Sequence, residues 1–117
     1  MFLIAGINQD REEAIMKIIL LCGAGLSTSL LAKKMAAEAV KQQKDVEVKA
    51  IAYSDADDAL EEADLYLLGP QIEYYLDRLK QTVTNHPVAV VDMTIYGLMD
   101  GKKALEFALQ EIASWKK

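Results

Sequence analysis

Residues 17–35 read KIILLCGAGLSTSLLAKKM, and this stretch decides the fold of the chain. Its first five residues, Lys17–Leu21, form a short run rich in isoleucine and leucine, which is typical of a strand buried on both faces. Glycines and hydroxyl residues follow, and beyond them apolar residues recur with helical spacing, opposite lysines. The stretch therefore predicts a strand, a loop and a helix. Ser27, Thr28 and Ser29 are the candidates for the helix N-cap.

The same alternation of strand and helix continues along the chain. Further strands are predicted at Val46–Ala52, Leu65–Leu68 and Val88–Val91. Helices are predicted over residues 54–63, from Pro70 onwards and from Lys102 to about Trp115, with residues 92–101 as a loop. Four strands that alternate with helices predict an α/β fold with a single open parallel sheet, right-handed crossovers and helices on both faces.

The length fits one domain, and the charge disfavours two classes of partner. The chain has 117 residues, with 13 Lys and Arg against 18 Asp and Glu and a net charge of -5. This balance favours neither nucleic acid nor an anionic membrane surface. The apolar runs are far shorter than the roughly 20 residues that span a bilayer, so we expect no membrane insertion. A single cysteine allows no internal disulfide and fits the reducing cytoplasm.

The residues before the first strand are expected to carry no function. Residues 1–15 do not resemble a cleavable export signal, and we expect at most a short helix over Gln9–Ala14. They are interpreted as an N-terminal extension, and residues 16–117 as the functional domain.

Cys22 is the only cysteine, and it stands where the first strand ends. In open α/β sheets, ligands bind beyond the carboxyl ends of the strands, where the loops after strands 1, 3 and 4 would meet. Backbone amides from Gly23 onwards, at a helix N-terminus, can hold an anion and stabilise a thiolate. A lone cysteine is more often a packed thiol. In this loop, however, the pattern favours phosphoryl transfer to and from sulfur, without a metal or another cofactor.

Three better-known phosphate-binding patterns do not fit this stretch. The nucleotide patterns fail, because no Gly-Lys-Ser or Gly-Lys-Thr follows the strand and Thr28 replaces the third glycine of GxGxxG. The cysteine phosphatase pattern also fails, because Thr28 stands where its arginine would bind the phosphoryl oxygens during hydrolysis. A loop that can hold phosphocysteine without this arginine is typical of a carrier.

Three separated motifs resemble one known family. They are CGAGLSTSLLAKKM at residues 22–35, LLGPQI at 67–72 and VVDMTIYGLMDG at 90–101. They are similar to the cellobiose and chitobiose class of enzyme IIB, in the lactose/cellobiose family of the bacterial phosphoenolpyruvate-dependent sugar phosphotransferase system. The resemblance covers Met16 to about Ala113. It implies the strand order 2-1-3-4 and a phosphatase-like cysteine loop after strand 1.

The resemblance also implies a function and its residues. Cys22 would accept a phosphoryl group from a phosphohistidine of enzyme IIA and pass it to a β-disaccharide, of the cellobiose or chitobiose kind, bound by the membrane enzyme IIC. We expect a cytoplasmic monomer. The resemblance maps the phosphate loop onto Gly23, Ala24, Gly25, Leu26, Ser27, Thr28 and Ser29. The alternatives are a low-molecular-weight cysteine phosphatase or thiol reductase on a similar fold, and a non-catalytic module that binds a phosphorylated partner.

Neighbouring loops contribute further candidates. Pro70 and Gln71 follow the third strand, and Gln71 can contact the phosphoryl group or the partner, or instead cap the helix that Pro70 begins. Tyr96 follows the fourth strand and can border the site or instead pack at the edge of the sheet. His86, the only histidine, precedes the fourth strand and lies at the opposite end of the sheet, which favours a turn residue. The acidic run at residues 55–64 lacks a calcium-loop pattern and indicates a solvated helix face.

Overall fold

The computed structural model describes residues 15–23, 26–53 and 60–115. The predicted N-terminal helix, most of residues 54–63 and the loop residues Ala24 and Gly25 lie outside these ranges. The strands are β1 (Met16–Cys22), β2 (Val46–Ala52), β3 (Leu65–Leu68) and β4 (Val88–Val90). The helices are α1 (Leu26–Lys41), a 3-10 helix (Pro70–Tyr75), α2 (Leu76–Thr82), α3 (Met93–Gly97) and α4 (Gly101–Trp115).

The four strands form one parallel sheet with the order β2-β1-β3-β4. This is the predicted architecture, and it makes β1 a central strand with β2 on one side and β3 on the other. The four consecutive residues Ile18–Leu21 have no exposed surface. The prediction that this run is buried on both faces is therefore confirmed.

Successive residues of β1 point to opposite faces of the sheet and enter two separate cores. Ile18 and Leu20 pack with Leu31 and Met35 of α1 and with buried residues of α4. Ile19 and Leu21 pack on the other face, with buried residues of the 3-10 helix and α2. Helices therefore cover both faces, and each core holds the carboxyl end of β1 in place from one side.

The helix α1 begins earlier than predicted. It starts at Leu26, so Ser27, Thr28 and Ser29 lie in its first turn and are not the residue before it. The expectation that one of these hydroxyl residues is the N-cap is therefore wrong. The Thr28 hydroxyl donates to Cys22 Sγ, which gives it a role other than capping.

The described part of the predicted acidic helix, residues 60–63, is not helical. The Tyr66 hydroxyl donates to the Glu61 carbonyl over 2.7 Å and accepts from the Ala63 amide over 2.9 Å. The Glu61 carboxylate also binds the amines of Lys17 and Lys49 on the two neighbouring strands. These contacts hold the segment against the sheet and occupy backbone groups that a helix would use.

The segment predicted as a loop after β4 contains the short helix α3. The Asp92 carboxylate caps it by accepting from the amides of Thr94 and Ile95 over 3.0 and 3.2 Å. The Asp100 carboxylate then accepts from the Lys103 amide over 3.0 Å at the start of α4. Two aspartates thus divide this segment into a capped turn of helix and a second helix start.

The helices α1 and α4 approach closely at Gly101. A Cβ atom placed on this buried glycine would lie 2.7 Å from the backbone carbon and oxygen of Lys34. Only a residue without a side chain therefore allows the two helices to cross at this distance.

Candidate active site

Cys22 is the last residue of β1, and it pairs in register with Ala52 at the end of β2. Its exposed fraction is 4%, whereas the next residue, Gly23, is exposed. The cysteine therefore lies where the buried central strand reaches the surface, at the carboxyl edge of the sheet. This is the position that the sequence predicts for it.

Thr28 brings a hydroxyl group to the sulfur. Its exposed fraction is 0%, and, tyrosines and Cys22 aside, it is the one polar side chain that is buried in the described ranges. From the first turn of α1, its Oγ1 donates a hydrogen bond to Cys22 Sγ. A buried hydroxyl donor stabilises negative charge on the atom that accepts from it. The site can therefore support a nucleophilic sulfur.

The sequence does not predict this contact, although it contains a signal for it. Thr28 follows Cys22 by six residues, which is the separation at which the phosphatase pattern places its arginine. A residue at this separation reaches back to the sulfur because the chain turns from β1 into α1. The spacing indicates that residue 28 lies near the sulfur, but it does not show that the Thr28 hydroxyl donates to Sγ.

The loop after β3 meets the end of β1. The Gly69 amide donates to the Leu21 carbonyl over 2.9 Å, and this bond joins the loop to the residue before Cys22. Pro70 opens the 3-10 helix, and the buried Ile72 follows it. A Cβ atom on Gly23 would lie 3.6 Å from Ile72 Cγ2. The loops after β1 and β3 are therefore in contact.

The loop after β4 reaches the same place. A Cβ atom on Gly69 would lie 2.8 Å from Gln71 Oε1 and 3.7 Å from Tyr96 Cε1. Gln71 is exposed, and the ring of Tyr96 is buried. The structure thus brings Pro70, Gln71 and Tyr96 to the edge of the sheet that carries Cys22.

The remaining residues of the predicted phosphate loop are placed only in part. Ala24 and Gly25, with the side chains of Leu26 and Ser27, lie outside the described residues. Ser29 is exposed in the first turn of α1. The role of this loop in phosphate binding stays a prediction.

His86 lies away from this edge, in the connection between α2 and β4. Its Nε2 lies 3.1 Å from Glu62 Oε2, and the chain bends at this residue as predicted. In the part of the chain that the structure describes, no group of three or more His, Cys, Asp or Glu has a metal-binding arrangement. No helix within residues 15–23, 26–53 and 60–115 combines the length and the apolar character needed to cross a membrane.

Comparisons with solved structures agree with this architecture. The chain superposes on the solution structure of a cellobiose-specific phosphotransferase IIB component from Borrelia burgdorferi with a TM-score of 0.69 and 29% identity, over 86% of this chain and 94% of the other. It superposes on the lactose-specific IIB component domain from Streptococcus pneumoniae with a TM-score of 0.70 and 25% identity, over 82% and 96% of the two chains.

Sequence comparisons lead to the same group of proteins. The oligo-beta-mannoside-specific EIIB component of Bacillus subtilis is 40% identical, over 80% of this chain and 92% of the relative. The galactose-specific and cellobiose-specific EIIB components of Lactococcus lactis are each 38% identical, over 78% of this chain and 91% of the relative. The family described as "PTS system, Lactose/Cellobiose specific IIB subunit" matches residues 17–107. With the cysteine at the end of the first strand of a 2-1-3-4 sheet, the chain belongs to this family of sugar phosphotransferase components.

Proposed function

We propose that Cys22 is a phosphoryl carrier between enzyme IIA and a sugar bound by the membrane enzyme IIC. The observation that carries this proposal is the buried hydrogen bond from Thr28 Oγ1 to Cys22 Sγ at the carboxyl edge of the sheet. Family membership supports a part in phosphoryl transfer during sugar uptake. The transfer is assigned to residues 16–117, in the cytoplasm, with the chain acting as a monomer.

The first transfer runs from a phosphohistidine of enzyme IIA to the sulfur. After the thiol proton passes to water, the Sγ electron pair forms the S–P bond, the N–P bond breaks, and the imidazole nitrogen keeps its electron pair. The Thr28 hydroxyl stabilises the thiolate before the attack. Residues 23–29 hold the phosphoryl oxygens with backbone amides and hydroxyl groups, as the first turn of a helix allows.

The second transfer runs from phosphocysteine to a sugar hydroxyl. The carrier must keep its phosphoryl group in water until the sugar arrives, and Thr28 in place of a phosphatase arginine supports slow hydrolysis. The named relatives are specific for an oligo-β-mannoside, galactose and cellobiose. We assign this chain a β-linked disaccharide of the cellobiose or chitobiose kind.

The test is to label the chain with radioactive phosphoenolpyruvate, together with an enzyme IIA and the upstream proteins that phosphorylate it. We expect the chain to take up one label, and a sugar with enzyme IIC membranes to remove it. Cys22→Ser should abolish the label because the serine hydroxyl is a far weaker nucleophile. His86→Gln is the matched control, since it removes the only histidine of the chain, the residue type that carries the phosphoryl group in enzyme IIA, and it should keep the label.

Two results would refute the proposal. One is a label that persists in Cys22→Ser and disappears in His86→Gln. The other is rapid release of inorganic phosphate without sugar, which would indicate a phosphatase. Circular dichroism of both variants confirms that each one folds.

A further inference from the structure

Gln71 and Tyr96 bring two polar groups together over Gly69. They come from the loops after β3 and β4, where Gln71 Oε1 and the ring carbon Cε1 of Tyr96 lie 2.8 and 3.7 Å from the place where a Gly69 Cβ would stand. The missing side chain therefore makes room for both. The bond from the Gly69 amide to the Leu21 carbonyl fixes this place beside the end of β1.

Both groups are available to a ligand. In the described part of the chain, neither the Gln71 amide nor the Tyr96 hydroxyl makes a hydrogen bond. The exposed fraction of Tyr96 as a residue is 7%, and no fully buried side-chain oxygen among the described residues lacks a partner, so the Tyr96 hydroxyl is not fully buried. In the described part of the chain, Gln71 and Tyr96 thus present two polar groups that make no hydrogen bond, at the edge of the sheet that carries Cys22.

The chemistry of these groups suits a hydroxyl better than a phosphoryl dianion. A carboxamide and a phenol are neutral, and each can both donate and accept a hydrogen bond. An alcohol needs one partner of each kind. A phosphoryl dianion needs donors, and the backbone amides of residues 23–29 with the Thr28 hydroxyl are the groups assigned to supply them.

We propose that Gln71 and Tyr96 bind the attacking hydroxyl of the sugar in the second transfer. This inference rests on the proposed function. The hydroxyl oxygen forms the new O–P bond, the S–P bond breaks, Cys22 Sγ leaves with the electron pair, and the hydroxyl proton passes to water. In the first transfer, the phosphorylated imidazole nitrogen has no proton and no free electron pair to offer these groups. The pair therefore acts in the second transfer and not in the first.

The two transfers are measured separately. Chain phosphorylated by enzyme IIA is isolated and mixed with enzyme IIC membranes and cellobiose, chitobiose or a β-mannoside disaccharide, whichever the wild type phosphorylates. Gln71→Ala and Tyr96→Phe should each slow this step about tenfold, as expected for one lost hydrogen bond. Labelling of Cys22 by enzyme IIA should keep its wild-type rate, and so should hydrolysis of phosphocysteine without sugar.

Gly69→Ala tests whether the Gln71 amide must lie over Gly69 to act in the second transfer. The new methyl group would lie 2.8 Å from Gln71 Oε1, the end of a flexible side chain, so the amide must swing away while the fold remains. We expect Gly69→Ala to slow the second transfer as Gln71→Ala does, and to add nothing in the double variant. Gly97→Ala is the matched control, because no described atom beyond its chain neighbours and the backbone of its own helix lies within 4 Å of its Cβ position.

The outcomes separate the two proposals. If the wild type takes no label on Cys22, the proposed function fails. If it takes the label, but the Gln71 and Tyr96 variants transfer to sugar at the wild-type rate, only the further inference is overturned. It is also overturned if these variants change the hydrolysis of phosphocysteine, because the groups would then act on the phosphoryl group itself.

Discussion

At the scale of single residues, the proposed chemistry of the site depends on Cys22 and Thr28. The sequence predicts Cys22 as the reacting residue, because the cysteine follows a buried strand and precedes backbone amides at a helix N-terminus, which can hold an anion. It does not predict the hydrogen bond between Thr28 Oγ1 and Cys22 Sγ. Spacing tells which residues are near each other in the chain, whereas the direction of a side chain is set by the packing around it.

Thr28→Val should slow phosphoryl uptake by Cys22 about tenfold while the chain stays folded. Valine matches threonine in shape but has no hydroxyl, so the sulfur loses one buried donor. The measurement is single-turnover labelling by phosphorylated enzyme IIA. Thr28→Ser, which keeps the hydroxyl, should recover most of the rate. Equal rates for Thr28→Val and the wild type would show that this donor does not assist the transfer.

At the scale of elements, the strands were easier to predict than the helices between them. β1 and β3 are buried apolar runs, whereas β2 alternates between apolar and polar residues. All four strands lie within one residue of their predicted ends. The helix α3 has only five residues and depends on the Asp92 cap. Residues 60–63 carry acidic residues that suggest a solvated helix. They are instead held by Tyr66 of β3, Lys17 of β1 and Lys49 of β2.

Gly101→Ala should lower the free energy of unfolding by about 1–3 kcal/mol, as overpacking of a close contact does. The added methyl group would meet the Lys34 backbone at 2.7 Å, so α1 and α4 must move apart. Urea denaturation of the variant and the wild type measures the difference. Gly97→Ala is the control and should not destabilise the chain, because no described atom beyond its chain neighbours and its own helix backbone lies within 4 Å of the new Cβ. Equal losses in both variants would disprove the close-contact explanation.

At the scale of the whole molecule, one carboxylate joins three parts of the sheet layer. Glu61 lies in the connection to β3 and binds Lys17 of β1 and Lys49 of β2. Hydrogen bonds to Lys17 and then to Lys49 lower the pKa of Glu61 from 4.5 to about 2. The unfolded chain therefore binds a proton at this residue at a higher pH than the folded chain does.

This difference predicts how stability depends on pH. The contribution of Glu61 is fully present above pH 4.5, and it is lost as the pH falls towards 2, because protonation then favours the unfolded chain. Urea midpoints measured between these pH values should fall less steeply for Glu61→Gln than for the wild type. The difference should shrink in high salt, since the carboxylate is exposed to solvent. Parallel pH profiles would contradict this assignment.

The place of Cys22 on the central strand sets the order of events in the proposed relay. A cysteine side chain is short, and the strand that carries it is packed on both faces. A phosphoryl group on Cys22 would therefore stay at the edge of the sheet between the two transfers. Donor and acceptor must then occupy the same edge of the sheet in turn. Enzyme IIA without its phosphoryl group, added in excess, should compete with enzyme IIC for that edge. Transfer to the sugar would then slow as unphosphorylated enzyme IIA accumulates. The rate of the carrier would thus depend on how much of enzyme IIA is phosphorylated.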